Sequence, residues 1–375
     1  MKKLITSLFL LLAFSAGAQT ISIFGDSQTE ATYTASANRW RTILAGSLTQ
    51  TITSYAHGGD QVGDQLPFFI ARTSPGASDT SIIWLGTNHQ KLGVDATKQA
   101  TFKSALRSVI LQRALASKTS AASFSGESGT WAGTGLWPSF GRASTGVGSI
   151  KTFTVTGTAI YLEMLLVKPI AAPDNGGTYQ IKIDGGPAQS FDSTADIATL
   201  NGYPYGVRSH RWSGLSSGSH TIEVKMTGAS NLYVQWAGGN AQTVFPKVYV
   251  ANIPRMSSST APGMGYAAWG GSTANVQSYN ADISATVAEL QADGLNVSLV
   301  DLYSVINDTT DLHTADGLHI SDAGHQKVAA AFLAAMTSSA PPPPPPAVTY
   351  APLYKGSDGL YYTDAMGAKV PVSVP

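Results

Sequence analysis

Five short apolar runs, each broken off by turn-forming residues, constrain this 375-residue chain more than anything else in it. Thr20 to Phe24 runs into Gly25-Asp26-Ser27, and Thr51 to Tyr55 into His57-Gly58-Gly59-Asp60. Ser81 to Leu85 runs into Gly86-Thr87-Asn88, Lys247 to Ile253 into Pro254-Arg255, and Asn296 to Leu302 is the last. Runs this short and this apolar read as strands buried on both faces, as in a parallel sheet covered by helices. The stretches between them agree. Ala96 to Ala116 spaces Phe102, Leu106, Val109, Ile110 and Leu115 at helical intervals, and Asn280 to Ala292 and Ser321 to Met336 do the same. Such helices supply the right-handed crossovers that parallel strands require.

From about residue 120 to residue 245 the rhythm changes to period two. Lys151 to Val155, Ala159 to Val167, Tyr179 to Ile183, His220 to Val224 and Asn231 to Trp236 are separated by turns such as Asp174-Asn175-Gly176-Gly177 and Asp184-Gly185-Gly186-Pro187. Short strands with turn signals of this kind predict an antiparallel β-sandwich. Because the α/β pattern resumes at Lys247, the sandwich reads as an insertion over 121–245. It resembles a jelly-roll module of the carbohydrate-binding type. The α/β domain is then discontinuous, over 19–120 and 246–337. Six consecutive prolines at 341–346 place a stiff linker over 338–347. The tail, 348–375, reads as a small β-hairpin or an attachment segment.

The first eighteen residues read as an export signal: Lys2 and Lys3, an apolar run from Leu4 to Phe14, and a small-residue cleavage site at Ala16-Gly17-Ala18. The run is shorter than the roughly 20 residues a membrane span needs. This predicts a secreted or periplasmic protein. Its removal leaves 21 basic against 23 acidic residues, a net charge of −2. Near-neutrality and only 12% charged residues speak against a nucleic-acid partner, which calls for a basic face. Cysteine is absent, so no disulfide, thiol nucleophile or thiolate metal site is available. His and acidic residues lack ligand spacing, and no glycine-rich phosphate loop occurs, so neither a metal nor another cofactor is expected.

The chemistry gathers where the apolar runs end. Ser27 follows the first strand, at the carboxyl end of the sheet where open α/β folds bind ligands. Gly-Asp-Ser alone is equally compatible with a helix cap. Asp316-Gly317-Leu318-His319 places an acid and an imidazole three residues apart, close enough for Asp316 to orient His319 toward Ser27. Acyl transfer also needs hydrogen-bond donors for the developing oxyanion. Gly59 and Ser27 offer backbone N–H groups for this, and Asn88 a side-chain amide.

Ser27, Gly59, Asn88 and His319 occur in the four-block order of the SGNH (GDSL-type) hydrolases, which the chain resembles over roughly 19–120 and 246–337. That resemblance implies a flavodoxin-like three-layer α/β/α fold. It makes Ser27 the nucleophile, His319 the base, Asp316 its orienter, and Ser27, Gly59 and Asn88 the oxyanion hole. The second block departs from the family pattern, reading His57-Gly58-Gly59-Asp60, which keeps Gly58 open as the donor. His57 and His89 flank the site, either as substrate contacts or as loop histidines. His313 and His325 fall outside the family's arrangement of acid and base and are weaker candidates for the base.

The family hydrolyses many esters, and the insertion is the clue to substrate. By resemblance to exported members with an added β-sandwich, an acylated polysaccharide is the expected partner and O-deacetylation the expected reaction. Tyr203, Tyr205 and Trp212, near Arg208, are the expected sugar-stacking platform. A lipid or short-chain esterase and a non-catalytic carbohydrate-binding protein are the alternatives.

Overall fold

The computed structural model describes residues 20–48, 50–65, 79–122, 126–133, 141–167, 177–193, 205–228 and 231–338, with three short strands beyond residue 353. The export-signal segment, the six prolines and Tyr203 lie outside the described residues. In chain order, β1 (Thr20–Gly25), α1 (Ser27–Glu30), α2 (Trp40–Leu48), β2 (Thr51–Ser54), β3 (Thr80–Trp84) and α3 (Ala96–Ala114) come first. Seven longer strands follow: β4 (Ile150–Thr156), β5 (Ala159–Val167), β6 (Thr178–Ile183), β7 (Gln189–Asp192), β8 (Tyr205–Ser213), β9 (Ser219–Met226) and β10 (Leu232–Gly239). Then come β11 (Lys247–Ala251), α4 (Gly265–Trp269), α5 (Thr273–Ala292), β12 (Val297–Val300), α6 (Leu302–Val305) and α7 (Asp322–Thr337).

Five strands form a parallel sheet in the order β12–β11–β3–β1–β2. Read from β2 this is the 2-1-3-4-5 order of flavodoxin-like folds. Period-two alternation sends side chains to two cores. Ile21, Ile23, Ile82, Trp84 and Tyr249 meet Trp40 and Leu44 of α2 and Val328 and Phe332 of α7. Phe24, Ile83, Val248 and Val250 meet Phe102, Leu106 and Val109 of α3 and Val276, Ile283 and Val287 of α5. Helices therefore cover both faces. Asp95 caps α3, Ser272 caps α5 and Ser321 caps α7, each by accepting a backbone N–H in the first turn.

The region between α3 and β11 holds two antiparallel sheets. One runs β7–β6–β9–β4 and ends on Glu127–Ser128. The other runs β8–β5–β10, then Arg142–Ser144 and Ala132–Gly133. A third apolar cluster draws Phe153, Tyr179, Ile181, Ile222 and Val224 from the first and Ile160, Leu162, Met164 and Val234 from the second. The β6–β7 connection carries a tight turn with both central residues at positive φ, Asp184 (+51°) and Gly185 (+69°), the backbone of a primed turn.

The segment containing Tyr205, Arg208 and Trp212 is strand β8, paired along its whole length with β5. Its Trp212 is half-buried against the third cluster and stacks on His210 at 5.7 Å. Helix α3 is covered on two sides, because its polar face meets the β8–β5 sheet. Ser209 N–H donates to Ser104 Oγ (2.8 Å), Arg107 Nη1 donates to the Ser209 carbonyl (3.2 Å), and Ser108 Oγ donates to Glu163 of β5. Tyr161, Leu165, Tyr233 and Trp236 of the same sheet join the α3 core.

Arg107 of α3 pairs with Glu289 of α5 (2.6 Å), and Arg211 of β8 grips Asp293 at the end of α5 through Nε and Nη2, both at 2.6 Å. Burial pushes the fully enclosed Glu163 carboxyl up to about 8. Beyond residue 353, Tyr354–Gly356, Gly359–Thr363 and Lys369–Pro371 pair as an antiparallel three-stranded sheet.

Candidate active site

Strand β1 ends at Gly25, where a Cβ would collide with the Thr29 side chain and the Trp84 carbonyl. Only glycine lets α1 start this close to β3. Asp26 caps α1, accepting the Gln28 N–H at 3.0 Å, and Ser27 is the first helical residue. The cap and the candidate nucleophile are thus neighbours, and the two sequence readings of Gly-Asp-Ser hold together. Burial raises the wholly enclosed Asp26 carboxyl to about 6, against the lowering effect of the Gln28 N–H.

The other half of the site comes from the loop before α7. His313 N–H donates to the His319 carbonyl (2.7 Å), and Gly317 N–H to the His313 carbonyl (2.8 Å), which closes the loop on itself. Gly317 sits at φ +60°, with Ser257 and Met264 packed where a Cβ would point. Gly265 N–H donates to the Asp316 carbonyl (2.7 Å), and Ser257 N–H to that of Gly317 (2.9 Å), so the segment leading into α4 clamps the turn. Gln28 Nε2 donates to the Leu318 carbonyl (2.8 Å) and ties the loop to α1.

Across this frame Ser27 Oγ lies 3.0 Å from His319 Nε2, and His319 Nδ1 lies 2.7 Å from Asp316 Oδ2. Asp316 Oδ1 accepts the N–H groups of Leu318 (2.9 Å) and His319 (3.0 Å). Burial alone would raise the Asp316 carboxyl. The His319 ring and these two N–H groups outweigh it and hold the carboxyl below its usual range. Asp316 therefore stays ionised at neutral pH, with one oxygen free to fix the imidazole.

Of the three oxyanion donors expected, Asn88 is buried and spends one Nδ2 hydrogen on the Asp60 carbonyl (2.9 Å), leaving the other. Gly59 has the positive φ (+85°) that favours glycine, and a Cβ there would meet nothing. Gly58 is the glycine nearer the nucleophile, since a Cβ on it would stand 3.7 Å from the Ser27 Cβ and 2.9 Å from Glu30 Oε2. Among the described residues the backbone N–H groups of Ser27, Gly58 and Gly59 have no hydrogen-bond partner.

The remaining histidines sort by environment. His89 is buried edge-on to Phe102 (4.8 Å) and Tyr279 (6.0 Å), and burial drives its pKa down to about 3. It is a neutral packing residue. His57 is exposed and bonded to Asp60 at 3.0 Å. His325 is buried on α7 and pushed down to about 4 by that burial.

Sequence reasoning missed two aromatic side chains. Tyr33 lies face to face with His319 at 4.0 Å and is 52% exposed. Trp269, on α4, stands edge-on to His319 at 6.2 Å, 38% exposed, with Lys91 Nζ 5.1 Å from its ring centre. Neither lies in a recognisable motif; only the fold brings them to the imidazole. Among the described residues Trp212 makes no ring contact with these groups, and the side chain of Tyr205 lies outside them.

The GDSL-like lipase/acylhydrolase family model matches residues 237–332, the stretch that carries Asp316 and His319. No curated protein matches the chain by sequence. Among solved structures, a lipolytic G-D-S-L family protein of Veillonella parvula aligns at 12% identity over 86% of this chain and all of that one, with a TM-score of 0.41. A two-domain esterase active on acetylated mannans aligns at 11% identity over 59% of this chain and 91% of its own, with a TM-score of 0.35. A family 3 carbohydrate esterase of Clostridium thermocellum aligns at 12% over 84% and 92%, also with a TM-score of 0.35. The chain is similar to GDSL-type hydrolases, and the family match supports an esterase or acylhydrolase as its class of activity. Among the described residues no helix is long and apolar enough to cross a membrane.

Proposed function

We propose that this relative of the GDSL-type hydrolases is an exported serine esterase that removes O-acetyl groups from a polysaccharide. The observation that carries the proposal is the line from Ser27 Oγ through His319 to Asp316, at 3.0 and 2.7 Å. Ser27 Oγ attacks the acetyl carbonyl carbon as His319 Nε2 takes its proton, and Asp316 stabilises the imidazolium that results. The tetrahedral oxyanion is received by the Ser27 N–H, the Gly59 or Gly58 N–H and the spare Asn88 amide hydrogen. Collapse breaks the ester bond, and His319 returns the proton to the departing sugar oxygen. Water then attacks the acetyl-Ser27 ester with His319 again as base, releasing acetate and restoring the hydroxyl.

Tyr33 and Trp269 favour a sugar over a lipid alcohol as the leaving group. Two exposed rings beside the imidazole offer flat surfaces where a pyranose can stack. Export by a signal over 1–18, a hydrolase domain over 19–120 and 246–337, and a sandwich module over 121–245 complete the proposal. The two antiparallel sheets and their shared apolar cluster support that module. The test is acetate release from acetylated xylan, mannan, pectin and peptidoglycan, with p-nitrophenyl acetate and octanoate alongside and Ser27→Ala as control. Release from one polymer, lost in the variant, is expected. Rates that rise with acyl length would instead make it a lipid esterase. Glycan binding with no turnover of any ester would make it a binding protein.

A further inference from the structure

Away from Ser27 lies a cleft of about 690 Å³, inside the range of roughly 300–1,000 Å³ typical of small-molecule sites. Its walls come from both parts of the molecule. Helix α3 gives Gln99, Lys103 and Arg107, β7 gives Phe191, and β8 gives Arg208 and His210. Asp282 and Glu289 of α5 close the acidic side. Strands β7 and β8 are each the edge strand of their own sheet, so the cleft opens where both sheets end against α3.

The charges in it do not cancel. Glu289 is taken by Arg107 at 2.6 Å, and Arg211 is taken by Asp293. Asp282 accepts Gln99 Nε2 at 3.0 Å, and burial raises its carboxyl. Lys103 and Arg208 have no carboxylate within ion-pair distance among the described residues. Arg208 spends Nη1 on the Asp192 carbonyl (2.7 Å) and lies 3.5 Å from Tyr179 Oη, both neutral acceptors. Burial keeps His210 neutral, with its Nε2 held by Tyr179 Oη at 2.8 Å. The Phe191 ring, stacked on Tyr179 at 5.4 Å and edge-on to His210 at 4.4 Å, adds a fixed apolar surface.

Two cations outside any ion pair, Lys103 in the field of Asp282 and Arg208 on the β8 side, together with an aromatic face and neutral polar groups, suit a flat ligand that is hydroxylated and carries a carboxylate. We propose that this cleft is a second saccharide site, selective for a hexuronate unit of a glycan. Lys103 and Arg208 hold the carboxylate and Phe191 takes the sugar's apolar face. The cleft starts at Ala96, eight residues after Asn88, and follows α3 away from the carboxyl end of the sheet. The overall near-neutrality of the chain conceals this local excess of positive charge.

The choice of a glycan rests on the polysaccharide-esterase proposal, and the site is separate from its chemistry. The test uses full-length Ser27→Ala protein, titrated calorimetrically with oligogalacturonates and with uncharged xylo- and manno-oligosaccharides of equal length. Acidic oligomers should bind at least tenfold more tightly, and the preference should shrink as salt rises. Lys103→Gln with Arg208→Gln should remove that tenfold. In the otherwise wild-type chain the same pair should leave p-nitrophenyl acetate turnover within twofold, which also shows that it folds. Equal affinity for acidic and neutral oligomers overturns the site, whatever the variants do. Displacement by inorganic phosphate at the same concentration as by galacturonate reduces it to an unselective anion pocket and also overturns it. If no ester is cleaved but uronate binding behaves as described, the esterase proposal falls and this one stands. Turnover without uronate preference gives the reverse.

Discussion

Two histidines in this molecule are held by an aspartate at almost the same distance, and only one of them faces a nucleophile. At the carboxyl end of the parallel sheet, His319 Nδ1 lies 2.7 Å from Asp316 and its Nε2 meets the Ser27 hydroxyl. At the hairpin turn between the antiparallel strands, His220 Nδ1 lies 2.6 Å from Asp184, and its Nε2 is 2.9 Å from the Ser216 carbonyl. A carbonyl can only accept, so both nitrogens of His220 are drawn into donating. That arrangement favours the imidazolium, and the Asp184 bond raises its pKa. A hydroxyl can give up its proton, so His319 can act as a base. The carboxylate–imidazole pair is common to both; what lies beyond the second nitrogen separates catalysis from structural support.

The sharpest way to break the comparison is to remove what lies beyond. Ser27→Ala should lower kcat for p-nitrophenyl acetate by about 10⁵–10⁶, while His220→Gln should leave it within twofold; a large loss in the second variant would dissolve the distinction. Removing the carboxylate comes next. Asp316→Asn should cost about 10³–10⁴ in kcat by presenting the wrong tautomer, with circular dichroism unchanged. Asn88→Ala should cost about 10² in kcat if its spare amide hydrogen meets the oxyanion, with KM little altered.

The smallest effect is thermodynamic. His220 has a raised folded pKa, so its contribution to stability is complete below its unfolded value near 6.5 and fades as pH climbs through the folded value. The gap in melting temperature between wild type and His220→Gln should therefore narrow from pH 6 to pH 9. A gap that widens would reverse the assignment.

Much of the sheet end was legible from the chain. Glycine and polar residues breaking off apolar runs mark where strands stop, and Gly25, Asp26, Asn88 and Gly317 are each required there by local geometry. Asp316-Gly317-Leu318-His319 was readable because the acid and base share one turn. Tyr33 and Trp269 were not readable, because nothing local makes a loop tyrosine and a tryptophan before two glycines meet one imidazole. The placement of Trp269 depends on the Gly265 and Ser257 hydrogen bonds to the Asp316–Gly317 turn. Strand β8 was missed since Arg208, Ser209, His210 and Arg211 do not alternate between apolar and polar. The apolar spacing of helix α3 did not reveal its second contact, because the face it turns to the second sheet is polar and is satisfied by Ser209 and Glu163 in place of water.

The position of Trp269 also gives the site an optical handle. Its indole is partly exposed, 6.2 Å from the His319 ring, whereas Trp40 and Trp84 are sealed in the core on the α2 side. Protonated imidazole quenches indole emission on close approach, and a stacked sugar shields it from solvent. The fluorescence of this one side chain should therefore report both the charge on His319 and the arrival of a ligand, without any label.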